Sequence, residues 1–276
     1  MTRSTARITD AGADRLEAAG RTPRLLDRIS GLAGMVGPVL FVLVFTAAGF
    51  LRPGYSALRD PVSDLGTGPS AWIQNANFFV FGLLILVFTT GFHRGMRGVM
   101  QPRRLKAVAV LLVLSGVGIM AAGVFPDNPN DPTAPAGIMH WLAGFLLAFL
   151  SAIAAISIVG KQLRKTSGWR GYGRYSTVTA WTALALIPVQ FLLLSPSSPL
   201  AGAQLGGLLE RIFAIEVFAW YAVSGWWIIA AGGHRETDPW VPLAGAIGAG
   251  RRGAQGGGEI GQDAKLRRAP ANDRSR

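Results

Sequence analysis

The chain has 276 residues, half of them apolar and 15% charged, with a mean hydropathy of +0.35, which is more apolar surface than a soluble core of this length needs. A formal net charge of +12 raises nucleic acid as a partner, but the cations avoid the apolar runs and gather in a few loops and tails, so the reading is membrane topology and no nucleic acid. Cysteine is absent, which excludes disulfides, thiolate nucleophiles, thiolate metal ligands and lipidation at cysteine.

In chain order, segment 1–30 mixes Asp10, Asp14, Glu17 and Asp27 with arginines ahead of the first apolar run at Gly31. A cleavable leader would instead carry a shorter apolar stretch closed by a small-residue cleavage site. A hydrocarbon layer about 30 Å thick requires about 20 apolar residues in a helix. Six runs meet that length: 31–51, 72–92, 107–125, 140–160, 177–194 and 211–231. Each must be helical or line a protected cavity, because unpaired backbone groups are costly in hydrocarbon.

The connecting segments set the expected orientation. Lys and Arg number 24 in segment 1–30, in the two loops after the second and fourth runs, and in the tail; the alternate segments hold Arg52, Arg59 and Arg211, which completes the 27. The bias of cations toward the cytoplasm then predicts an all-α polytopic membrane protein, a bundle of six transmembrane helices with both termini cytoplasmic. Three parts follow: a cytoplasmic segment 1–30, a transmembrane domain 31–231 and a disordered, basic, Gly-rich cytoplasmic tail 232–276. Ala148 with Ala152, and Ser151 with Ala155, place small residues at four-residue spacing, a pattern that lets helices approach closely.

Polar side chains near hydrocarbon are expensive and so mark candidate sites. They collect on the expected outer side. The first external loop, 52–69, is turn-rich and carries Ser63 and Asp64 before Asn75 and Asn77 enter the second run. The second external loop carries Asp127 and Asp131 and leads to His140, and the third ends at Glu210 and Arg211. At about 1.5 Å per residue, Asn77, Gln190 and Glu216 fall on the order of 6 to 8 Å below the outer boundary. The expectation is that these three face one another beneath a more exposed shell of Asp64, Asp127, His140 and Arg211. A Glu at that depth needs a hydrogen-bonding partner or a neutral form.

The inventory limits the chemistry. Of three histidines, His93 and His234 fall on the cytoplasmic side, so external histidine chemistry rests on His140. A Ser63, His140 and Asp64 or Asp127 triad lacks any nucleophile-elbow pattern around Ser63. A metal site from His140, Asp64, Asp127 and Asp131 lacks the close histidine spacing of a zinc motif, so no metal and no cofactor is assigned. Acid/base work by His140 with Asp127 stays open. No phosphate-binding loop or dinucleotide fingerprint follows a strand.

The loop and helix from Tyr55 through Asp60, Ser63, Asp64 and Gly66, then Trp72, Asn75 to Asn77 and Gly82, then Phe125-Pro126-Asp127, His140 and Arg211, resemble the bacterial six-helix membrane proteins grouped as domain-of-unknown-function family 998. This likeness covers roughly residues 30–232. The run Ser63 to Pro69 leading into a helix is similar to the external-loop motif of the damage-regulated autophagy modulator proteins, six-helix membrane proteins with some relatives that act in lipid remodelling. The resemblance implies the architecture and a shared outer polar face, and transfers no catalytic role.

Three classes of function follow. The first is an outward-facing polar site that binds or modifies a lipid or small molecule. The second is a small-molecule or ion transporter using Glu216. The third is a non-catalytic membrane partner or assembly factor that uses the basic loops and tail. The lipid bilayer is a partner in all three; oligomeric state and enzymatic activity are left open.

Overall fold

The computed structural model describes residues 4–127, 131, 134–195 and 197–231, so the tail 232–276 and its expected disorder lie outside the described residues. Six helices are long and apolar enough to cross a membrane, and no strand occurs among the described residues. They are α1, Ser4–Leu51, with its spanning part at Leu25–Leu51; α2, Ala71–Gly95; α3, Pro102–Val124; α4, Pro135–Leu163; α5, Arg170–Leu194; and α6, Gly206–Ala231.

Several boundaries differ from those read off hydropathy, for local reasons. Pro102 and Pro135 each occupy the first turn of their helix after an extended residue, where the missing N–H costs nothing and the fixed φ suits the helix. The fourth helix therefore begins at Pro135, and His140 lies more than a turn inside it. The sixth begins at Gly206, which draws Glu210 and Arg211 into the helix. Their charges interrupt an apolar run but not a backbone ladder.

Consecutive helices are antiparallel neighbours, and α6 packs back against α1 to close the ring. Connections 52–70, 125–134 and 195–205 thus share one end, which carries the carboxylates. Connections 96–101 and 164–169 share the other, the basic end, where Arg94 Nε donates to Asp27 Oδ1 at 3.0 Å. The centre is aromatic: Phe81 meets Phe41 and Phe218 with ring centroids 5.0 and 4.7 Å apart. Three of the buried polar tips are paired within the bundle. Trp220 Nε1 donates to Ser176 Oγ at 3.0 Å, and Ser224 and Ser115 hydroxyls pair with those of Tyr172 and Tyr221 at 2.6 and 2.9 Å, as burial of such rings requires. Outward-facing Leu43, Val110, Val117 and Trp181 are exposed, the surface a lipid solvent favours.

Helix α4 changes pitch. Between α-helical Pro135–Trp141 and Ser151–Leu163, residues Leu142–Leu150 form a π-helix, with backbone hydrogen bonds reaching one residue farther than in an α-helix. This stretch lies against α3 at Gly118, where a Cβ would stand 2.7 Å from the Ala143 carbonyl oxygen and 2.5 Å from the Ala148 amide nitrogen. Only glycine admits that approach. Ala148, Ala152, Ser151 and Ala155 are all buried, as their small-residue spacing predicts.

Candidate functional site

The first loop is clamped by two arginines. Arg211 Nη1 donates to the carbonyl oxygens of Ala57 (2.8 Å), Asp60 (3.0 Å) and Gly207 (2.8 Å), and Nη2 donates to the Tyr55 hydroxyl. Its guanidinium lies 5.5 and 5.6 Å from the ring centroids of Tyr55 and Phe45, within cation–π range. Arg52 donates through Nη1 to the carbonyl oxygens of Asp64 and Thr67 and through Nη2 to Thr67 Oγ1. The start of α6 joins in, as Gly207 N and Leu208 N donate to Arg59 O and Leu58 O at 3.1 and 2.9 Å. Both cations are therefore spent on loop backbone. Asn75 serves the same loop by donating to Gly66 O at 3.2 Å, and a Cβ at Gly66 would stand 2.6 Å from Asn75 Oδ1 and displace that side chain.

With the loop in place, a cavity of about 220 Å³ forms between α4, α5 and α6. Its polar rim comprises Ser63, Asp127, His140, Gln190 and Glu210; its walls are Trp141, Phe145 and Phe149 of α4, Ile187 and Phe191 of α5, and Phe213 of α6. The π-helical stretch supplies Gly144, Phe145 and Phe149, and a Cβ on Gly144 would meet open space. On the α5 side Pro188 withdraws the amide that would bond one turn back. Trp141 and Phe191 line the cavity yet stay 46% and 45% exposed, so this aromatic wall is continuous with the outer surface of the bundle.

The hydrogen bonds of the rim decide its chemical character. Ser63 Oγ donates to Asp127 Oδ2 at 3.0 Å, and Glu210 Oε2 accepts the Val62 amide at 3.0 Å. His140 Nδ1 lies 2.9 and 2.8 Å from the carbonyl oxygens of Ala122 and Phe125; carbonyls only accept, so Nδ1 carries a proton. Gln190 Nε2 donates to Gly206 O at 3.2 Å, which leaves its buried Oε1 without a partner. Asp127, Glu210, His140 and Gln190 line one cavity whose lining contains no Lys or Arg. Neither link of a Ser-His-Asp triad is formed, since Ser63 bonds Asp127 and His140 bonds carbonyls. No group of three or more metal-ligating side chains is placed to hold a metal ion among the described residues.

Asp64 stands beside this rim without lining the cavity. Burial, reinforced by the charges of Asp127 and Asp60 and opposed by Arg52 and Arg211, pushes its carboxyl up to about 6. Asp60, hydrogen-bonded by Arg59 at 2.6 Å, is instead held below the usual carboxylate range.

The structure thus gathers Ser63, Asp127, His140 and Gln190, and separates the rest. Asn77 donates to Phe41 O at 3.0 Å and to Gln74 Oε1 at 3.2 Å inside the bundle. Gln190 bonds Gly206, whereas Glu216 lies ten residues farther along α6, about 15 Å by helical rise. No hydrogen bond links Asn77, Gln190 and Glu216 among the described residues, and Glu216 Oε2 is buried with no hydrogen-bond partner. Arg211 fastens the loop rather than joining the rim. Sequence reasoning missed Glu210 and the aromatic wall. Glu210 and Phe213, three apart, share a helix face once α6 is known to start at Gly206.

Residues 35–227 match the family described as protein of unknown function, DUF998. The chain belongs to this family. The matched region contains every rim and wall residue of the cavity, so the site lies within the DUF998 domain. No curated protein and no solved structure matches the chain.

Proposed function

We propose that this DUF998 protein binds an amphiphile at the outward-facing end of its bundle, one with a head group that donates hydrogen bonds, an amine or a polyol, and an apolar chain along the α4–α5 wall. The observation that carries this reading is the one-sided polarity of the cavity: the rim is lined by Asp127, Glu210, Gln190 and His140 and by no Lys or Arg. Gln190 Oε1 is buried without a donor, which is costly, and a donor-bearing head group supplies one. A volume of about 220 Å³ matches a head group and the first few methylenes, with the remaining chain leaving past Trp141 and Phe191 into lipid. Binding is the function supported; chemistry on the bound molecule would use His140 Nε2 as the proton acceptor.

The test compares ligands of equal chain length on the full chain in neutral detergent. A long-chain alkylamine or alkyl polyol is expected to raise the unfolding temperature, and an alkyl phosphate is not. In Gly144→Phe, which fills open space within the cavity, the stabilisation disappears while the unliganded protein still folds. Equal stabilisation by the phosphate, or an undiminished response in Gly144→Phe, overturns the reading.

A further inference from the structure

At the basic end, α3 and α4 run side by side and their ends bound a groove of about 640 Å³. Five cations converge on it from two elements: Arg103 and Arg104 from the first turn of α3, Lys161 near the end of α4, and Arg164 and Lys165 from the turn that follows. No carboxylate lines the groove, and none of the five makes an ion pair or side-chain hydrogen bond in the described structure. Arg94 at the same end is differently placed, since it pairs with Asp27. Five like charges around one concavity repel one another and raise the local concentration of anions, so the groove is an anion site by electrostatics and by shape.

Its floor separates a lipid from a dissolved ion. Between the cations lie Ala107 and Ile158, and below Ala107 on α3 the side chains of Val110 and Val113 are exposed, one to two turns into the apolar span. An anion held by the cations therefore sits at the head of an apolar track, the geometry of a phospholipid with its phosphates at the interface and its chains in hydrocarbon. Five cations exceed what one phosphodiester neutralises and suit a head group with more than one negative charge.

We infer that the α3–α4 groove is a binding site for the polyanionic phosphate head group of a membrane lipid, separate from the carboxylate-rimmed cavity at the opposite end.

The experiment places the full chain in phosphatidylcholine nanodiscs with and without cardiolipin, as a two-phosphate probe, and counts retained lipid by native mass spectrometry. A discrete one-to-one adduct with cardiolipin is expected. The double variant Arg104→Gln with Lys161→Gln, one change on each wall, is expected to bind about thirtyfold more weakly, given the typical contribution of a cation near a charged head group. Arg97→Gln with Arg170→Gln removes the same charge from the same end outside the groove and keeps the adduct. Equal losses in the two double variants would mean diffuse surface attraction and overturn the site. Competition by pyrophosphate as effective as that by cardiolipin would overturn the lipid as its occupant.

Discussion

Glu210 accepts the amide of Val62 at 3.0 Å across 148 residues of chain, joining the last helix to the first loop at the edge of the cavity. The bond makes Glu210 both a rim acceptor and a structural tie. Glu210→Ala leaves the amide of buried Val62 unpaired, which costs about 1 to 3 kcal/mol. Glu210→Gln keeps an acceptor oxygen and is expected to unfold close to the native temperature. Thermal unfolding of both variants in detergent distinguishes this from a purely electrostatic role, in which Gln and Ala would behave alike.

Arg211 spans four acceptors with one planar fork, and a lysine ammonium cannot reproduce that geometry. Both Arg211→Lys and Arg211→Ala are therefore expected to loosen the loop from Tyr55 to Val62, read as faster amide hydrogen exchange there than in α2. Native-like protection in Arg211→Lys would show that charge alone holds the loop.

Asp64 gives a pH dependence with a definite sign. Its folded-state pKa of about 6 lies above its ordinary value of 3.8, so between these values the folded state binds more protons than the unfolded. Stability from this group falls as pH rises from about 4 through 6. Asp64→Asn removes the penalty, so the variant gains on the native protein as pH rises across that window, and a gap in unfolding temperature constant from pH 4 to 7 contradicts the assignment.

The membrane architecture was legible because hydrocarbon thickness imposes a run length that composition alone reveals. The ends were less so. Arg211 marks the start of the sixth apolar run, yet the helix begins at Gly206, because a charged pair can be served by a neighbouring loop while the backbone ladder continues beneath it. Ser63 and Asp127 were both candidates, but their pairing across 64 residues is set by how three helices place two loops. The π-helical stretch of α4 has no mark in Leu142–Leu150 itself. It coincides with the packing against Gly118, a residue on another helix. Depth alone marks Asn77 and Glu216, and depth says nothing about which face of a helix a side chain occupies.

The distribution of cations predicts which end faces the cytoplasm. Because the chain contains no cysteine, single cysteines report cleanly. In intact cells a membrane-impermeant thiol reagent is expected to label Ser198→Cys and to spare Ser167→Cys, with both labelled after permeabilisation. Labelling of Ser167→Cys in intact cells would invert the orientation.

An experimental density map of the full chain in native lipid tests whether the acceptor-rimmed cavity holds an amphiphile. Elongated density is expected from between Asp127, His140 and Glu210 along Phe145 and out past Trp141 and Phe191. A cavity closed by its own side chains, or filled with separate water peaks and no continuous chain, would contradict it.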